Sequence, residues 1–345
     1  MAKTPSGKRK APSIKDVAVL AGVSVPTVSR YLNTPDHVSD AKKTVIRAAI
    51  DKLGYRPNAI ARALVREQSR QCVVLSTNTT LFGQTQTIQG VEVAARAHGY
   101  ALMIAVVSGE SRDEIRSSVH DALDHNPAGV IVLNFDEASA RALEMIPRET
   151  PLVAVAGERD EDTAQISMGE EEGGYRLTRH LLDSGVPEVH FVGIPGGGGA
   201  NDRLEGWRRA CQEAGVPMPA PIEAGWDAAS ARDAGRRLGK QGAKAVFAGN
   251  DETAMGVIRG LNDAGLRVPE DVLVAGFDDH PLGSIWNPSL TTIRQDFQRI
   301  GREAFGMLLP MIDDVANNAG RSEAWTAFRQ FNGELIVRES SVRES

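Results

Sequence analysis

The spacing of apolar and polar positions changes character twice along the chain, and each change marks a boundary. Residues 1–11 are rich in lysine, proline and serine without apolar periodicity, the composition of a disordered arm. From Ser13 the pattern turns helical: Ile14, Val17 and Ala18 share one face behind Ser13 as N-cap. Gly22 breaks that helix. Ser24 offers a second N-cap for the run Val25 to Leu32, with Pro26 in the first turn, where its missing N–H costs nothing. A third helix fits Ser39 to Leu53, closed by Gly54. Two short helices joined by a glycine-containing turn, with a third to bury their apolar faces, predict a helix-turn-helix. Tyr55-Arg56-Pro57-Asn58 interrupts the helical pattern, and Ala59 to Arg66 reads as a hinge segment too brief to be a stable helix alone.

Beyond Cys72 the period changes again. Short apolar runs, Cys72–Ser76, Tyr100–Val107, Gly129–Leu133, Leu152–Ala156, Val189–Gly193, Ala245–Ala248 and Val272–Gly276, alternate with amphipathic helical stretches, and a last strand falls near Glu334 to Arg338. Such alternation predicts parallel sheets covered by helices on both faces. It runs too long for one comfortable domain, so two similar lobes with a cleft between them are expected, with ligand-binding residues just after the strands.

Charge sharpens this division. Up to Arg66 there are seven lysines and six arginines against four aspartates and no glutamate, a net +9; the whole chain carries −6, so −15 lies on the remainder. A basic head on an acidic body is the footprint of a nucleic-acid-binding module joined to something that avoids phosphates. The chain has two cysteines, Cys72 and Cys211, in an expected strand and an expected helix, which fits neither a disulfide framework nor a metal site but does fit a reducing cytoplasm. No apolar run reaches spanning length, and the basic start leads into no signal-peptide core, so no membrane association is expected.

The stretches Ile14-Lys15-Asp16-Val17-Ala18, Ala21-Gly22-Val23-Ser24, Thr27-Val28-Ser29-Arg30-Tyr31-Leu32-Asn33 and Tyr55-Arg56-Pro57-Asn58 with Ala61-Arg62-Ala63-Leu64 together make the chain resemble the LacI/GalR family of bacterial repressors, from about Ser13 to Ser341. The resemblance implies an all-α helix-turn-helix domain over 12–57, a hinge helix and linker over 58–68, and an α/β body of the periplasmic-binding-protein-like kind. The body's N-terminal lobe would comprise 70–184 with 297–327, and its C-terminal lobe 185–294 with 328–341. In a major-groove reader the start of the second helix faces base edges, here Val25, Pro26 and Arg30; Arg30 can fork onto a guanine for about 1–3 kcal/mol of discrimination. Ser24, Thr27, Ser29, Asn33 and His37 suit phosphates. The family pattern further assigns Asn58, Ala61 and Leu64 to a segment that folds on the operator, with Leu64 wedged into the minor groove and Ala61 letting two such helices approach. That device needs a symmetry mate, hence a homodimer on a near-palindromic operator.

Carried over residue by residue, the family's effector positions are Thr77, Asn78, Glu172, Arg203, Trp226, Asn250, Asp278, Trp286, Gln295 and Phe297. Carboxylates at Glu172 and Asp278, donors at Arg203 and Asn250, and a flat ring at Trp226 or Trp286 suit a sugar, while Arg203 could equally hold a phosphate or an acid. A purine or other corepressor in the same architecture is the alternative. Trp207 reads as packing and Asp251 as a helix cap. The run Pro195-Gly196-Gly197-Gly198-Gly199 lacks the ending of a phosphate loop and reads as a strand-to-helix connection. No nucleophile stands beside a base, and neither a metal nor a cofactor is implied, so a transcriptional regulator is expected rather than an enzyme. An exported solute-binding protein would share the body but need an export signal and no basic head. The C-terminus shows no leucine heptad, so a dimer is expected rather than a coiled-coil tetramer.

Overall fold

The computed structural model describes residues 12–33, 37–55, 69–109, 111–195 and 199–343, except for the side chains of 33 and 199–201. The arm 1–11, the hinge 58–68 with Asn58, Ala61 and Leu64, and most of the glycine run lie outside the described residues. The chain divides into two units, Met1–Ser69 and Arg70–Ser345.

In the first unit, α1 (Ile14–Ala21), α2 (Val25–Asn33) and α3 (Asp40–Leu53) form where the apolar spacing places them. Ser13 and Asp16 close a capping box: the Ser13 backbone N–H donates to Asp16 Oδ2 at 2.7 Å, and the Asp16 N–H donates to Ser13 Oγ at 3.4 Å. Gly22 ends α1 with φ +65°, a left-handed geometry that a Cβ would strain, and the chain can therefore turn sharply into α2. Val17, Ala18, Val28, Ile46 and Ala49 meet in a shared core.

The second unit holds two lobes. The first is built from β1 (Gln71–Ser76), α4 (Phe82–Ala97), β2 (Ala101–Val106), α5 (Arg112–Leu123), β3 (Gly129–Leu133), α6 (Glu137–Leu143), β4 (Leu152–Val155) and β5 (Ala164–Ser167). The second contains α7 (Glu170–Asp183), β6 (His190–Gly193), α8 (Gly199–Ala214), β7 (Ile222–Glu223), α9 (Ala228–Gln241), β8 (Ala245–Ala248), α10 (Asp251–Asp263), β9 (Leu273–Ala275) and β10 (Thr292–Arg294). The chain then returns to the first lobe through α11 (Phe297–Ala316) and β11 (Phe328–Gln330), and ends in the second with β12 (Glu334–Ile336). The first sheet runs β11-β5-β4-β3-β1-β2 and the second β7-β6-β8-β9, each parallel throughout, with β10 and β12 as a short antiparallel pair. Side-chain alternation shows how each sheet is covered. In β1, Cys72 and Val74 face α4 and α11, while Val73 and Leu75 face α5. In β8, Val246 and Ala248 face α9 and α10, while Ala245 and Phe247 face α7 and α8.

The sequence-based lobe boundaries need two corrections. Helix α7 packs on α8 and so belongs to the second lobe, although 70–184 assigns it to the first; β11 pairs with β5, Phe328 opposite Gln165, and so belongs to the first lobe rather than the second. Strands β5, β7, β10 and β11 escape a pattern search because each mixes polar with apolar residues over two to four positions and so leaves no continuous apolar run. Both cysteines are buried, and burial pushes their thiols up to about 12 for Cys72 and about 11 for Cys211, which keeps them neutral and unreactive.

Three helix pairs cross at glycines. A Cβ on Gly90 of α4 would lie 2.2 Å from the Gln298 carbonyl oxygen, one on Gly206 of α8 2.1 Å from that of Glu171, and one on Gly260 of α10 2.0 Å from that of Arg232. Backbone thus meets backbone with no space for a methyl group. Gly90→Ala is expected to cost about 1–3 kcal/mol through overpacking, seen as a lower urea midpoint with an unchanged denaturant slope; an unchanged midpoint would show that α4 and α11 can move apart freely.

Candidate effector cleft and DNA-reading helix

On α2 the buried Val28 fixes which face turns outward. Ser24, Pro26 and Arg30 are exposed, Thr27 and Ser29 partly so, and His37 is exposed just before α3. Val25 is partly buried and packs on the three-helix core, leaving less of its side chain for a base contact than the sequence assigned it. Ser24 and Thr27 hydroxyls bond each other at 2.8 Å, and the Ser24 carbonyl accepts from Thr27 and Val28, so the pair organises the first turn.

In the body, a cavity opens between the lobes. Its walls include Leu81, Phe82 and Gln84 at the start of α4, Phe135 after β3, Phe297 at the start of α11, and Glu170, Arg203, Trp226, Asn250, Glu252 and Asp278 from the second lobe. The free volume is about 50 Å³, room for a few waters rather than for an effector. The Phe82 and His280 rings, 4.8 Å apart, bring the two lobes into contact beside it.

Arg203 is the centre of the second-lobe wall. The glycine crossing of α7 and α8 brings their backbones together, and this lets Arg203 reach Glu170 at the head of the neighbouring helix. Its Nε and Nη2 donate to Glu170 Oε1 at 2.9 and 2.6 Å, Nη2 also donates to Asp278 Oδ1 at 3.2 Å, and Nη1 donates to the Gly249 carbonyl. The guanidinium stacks on Phe277 at 4.1 Å. All three charged groups are buried. Asp278 adopts φ +102°, costly for a residue with a Cβ, and the next residue Asp279 is at +56°. The strain is held from both sides. Asp278 N–H donates to the Ile293 carbonyl at 2.8 Å, while Asp279 is clamped by Arg294 and Arg338, each at 2.7 Å. Burial pushes Asp278 up to about 7, opposed by Arg203 and reinforced by Glu252 and Glu170. Burial likewise raises Asp202 to about 6.

Of the ten effector residues read from the sequence, Arg203, Trp226, Asn250, Asp278 and Phe297 line this cavity, and the other five do not. Glu172 is corrected to Glu170: consecutive helix positions point about 100° apart, so Glu170 enters the wall while Glu171 and Glu172 turn outward to Arg209 at 2.5 and 2.8 Å. Thr77 donates to Asp136, and Asn78 Oδ1 accepts from the Thr80 N–H and hydroxyl, so both shape the loop after β1. Gln295 ties a crossover strand to the Met168 carbonyl at 3.2 Å. Trp286 is 37% exposed on the second lobe, away from the lining. Trp207 is core, its indole donating to the Val189 carbonyl. Phe82, Gln84, Phe135 and Glu252 are lining residues that pattern reading missed, although Phe135 and Glu252 follow strands by two and four residues.

Residues 13–58 match the model of bacterial regulatory proteins of the lacI family, and 178–341 match a periplasmic binding protein-like domain. The HTH-type transcriptional repressor PurR of Vibrio vulnificus is 31% identical over 343 residues, covering 95% of this chain and 98% of its own. The chain belongs to the lacI family. Its namesake provides a structural match as well: the lac repressor dimer bound to operator and the anti-inducer ONPF superposes with TM-score 0.86 at 27% identity, covering 97% of this chain and all of that one. The transcriptional regulator CelR in complex with cellobiose gives TM-score 0.69 at 26% identity, covering 95% and 99%. As a member of the lacI family the chain is a DNA-binding transcriptional repressor and not an enzyme, with a helix-turn-helix joined to an α/β body of parallel sheets.

An ionised Asp278 is disfavoured in the folded state, so the group binds a proton there that the unfolded chain has already lost above its ordinary value of 3.8. Its contribution to stability therefore falls as pH rises from about 4 to about 7. Asp278→Asn has no such proton to lose. Urea midpoints measured across that window are expected to move in the variant's favour as pH rises, and parallel curves would refute the shift.

Proposed function

We propose that this repressor binds a near-palindromic operator as a homodimer, reading base edges with Arg30 and Pro26 and bending the duplex with Leu64, and that a small cyclic ligand in the interlobe cavity controls that binding. The observation that carries the effector half is the cavity itself: a strained, buried carboxylate at Asp278, paired with Arg203, faces aromatic rings from both lobes. Such a wall suits a polyol, whose hydroxyls meet Asp278 and Asn250 and whose C–H face meets Trp226 or Phe297. The cellobiose complex of CelR favours this sugar reading. A purine corepressor is the second reading, favoured by the PurR relatives. Closure at Phe82 and His280 means that the lobes part to admit a ligand, so occupancy and lobe geometry are linked.

The homodimer reading is supported by exposed apolar side chains on one edge of the first lobe, Val93 on α4 with Ile104 and Val106 on edge strand β2, and by Ile285, 77% exposed, on the second.

Two measurements test this function. Operator affinity is expected to fall steeply with salt, because the basic head displaces counterions, and Leu64→Ala is expected to weaken operator binding more than binding to unrelated DNA. A flat salt response or equal losses on both DNAs would refute these contacts. Asp278→Ala is expected to leave operator affinity intact and abolish its response to ligand; a preserved response removes Asp278 from the site.

A further inference from the structure

The cavity contains polar groups that the folded chain leaves unused, and their orientation is determined. Gln84 is 3% exposed, and its Oε1 accepts from the Ser76 hydroxyl at 2.6 Å and from the Asn78 backbone N–H at 3.0 Å. A backbone N–H only donates, so the amide cannot be flipped, and its Nε2 is a donor with no partner among the described residues. Asn250, 5% exposed, repeats the arrangement: Oδ1 caps α10 by accepting from Thr253 N–H at 2.9 Å, which leaves Nδ2 as a second unpartnered donor. Both residues line the cavity, one from each lobe. Neither donor is sealed in the interior, since among the described residues the buried side-chain atom without a partner is Asn134 Oδ1; both open onto the cavity, where a ligand oxygen can reach them.

Charge adds the complementary half. Glu170, Glu252 and Asp278 line the cavity against one cation, Arg203. Four of the five guanidinium N–H groups are already taken by Glu170, Asp278 and the Gly249 carbonyl. One Nη1 N–H remains, which is not enough for the two-bond fork by which a guanidinium holds a phosphate or a carboxylate. Glu252 is partly buried, lies close enough to raise Asp278, and has no hydrogen-bond or ion-pair partner among the described residues. The wall also includes Phe82, Phe135, Trp226 and Phe297, residues whose ring faces can attract a cation.

Resting on the reading of this cavity as the effector site, we propose that the effector is an amine-bearing cyclic polyol: its ammonium sits against Glu252 and Asp278, its hydroxyl oxygens accept from Gln84 and Asn250, and phosphorylated or carboxylated ligands are rejected. Ligand contact with Gln84 on the first lobe and Glu252 on the second ties recognition to the distance between the lobes.

The test is a thermal-shift titration of the full chain at neutral pH with glucosamine, galactosamine and mannosamine, their parent hexoses, the corresponding sugar phosphates, and hypoxanthine. An amino sugar is expected to raise Tm in a concentration-dependent way, with its parent hexose about ten-fold weaker, the usual gap between a charge-assisted and a neutral hydrogen bond, and the phosphates without effect. Glu252→Gln, a neutral isostere, is expected to erase that ten-fold preference, so that the amino sugar and its parent hexose raise Tm at similar concentrations. A parent hexose or phosphate that binds as tightly as its amino counterpart overturns the proposal, as does a Glu252→Gln variant that keeps the preference. If a hexose or hypoxanthine raises Tm while no amino sugar does, the cavity remains the effector site and the amine claim falls; if no compound of any class does, the effector-site reading falls with it.

Discussion

One buried guanidinium organises the second-lobe wall of the interlobe cavity. Arg203 draws Glu170 from the head of one helix, Asp278 from a strained loop and the Gly249 carbonyl from a strand end onto a single planar fork, and Phe277 supports it from behind. A charge this deep is tolerable only when fully paired, because removing either partner leaves an uncompensated ion in a low-dielectric interior. The network is thus more than a local contact. It keeps three separate segments in register, and it holds Asp278 at a backbone angle that the residue would not adopt alone.

The glycine crossings make this possible. The fold repeats one device three times, α4 on α11, α7 on α8 and α9 on α10, with backbones touching where any larger residue would push them apart. In the second lobe that closeness has a chemical consequence, since Arg203 spans from α8 to α7 only because Gly174 and Gly206 let the helices meet. Packing and site chemistry are therefore two aspects of one constraint, and a change that loosens the helix pair also loosens the charge network.

The lobes share the cavity unequally. The second supplies its ion network, whereas the first supplies mainly aromatic rings and the pre-oriented amide of Gln84. Residues read from the sequence as ligand contacts, Thr77 and Asn78, instead build the loop that orients that amide. Any molecule touching both walls would be sensitive to their separation.

Local patterns were sufficient wherever structure follows from neighbours along the chain. The three helices of the head, their caps at Ser13 and Gly22, the strands with a continuous apolar run, the charge division and the family itself were legible because each rests on periodicity or contiguous motif. Arg203, Trp226, Asn250, Asp278 and Phe297, carried over from the family resemblance, line the interlobe cavity. Glu170 was not among those carried over, because three consecutive glutamates look alike until a helix assigns each its own direction; nor were Gln84 and Glu252, whose value lies in the bonds they leave unmade. Lobe membership of α7 and β11 likewise depended on pairing across long separations. Adjacent residues encode the head's helices, the continuous apolar strands and the family, and so these were legible in the chain; which carboxylates and amides face the cavity was not, because direction and partnership arise from packing between segments distant in the chain.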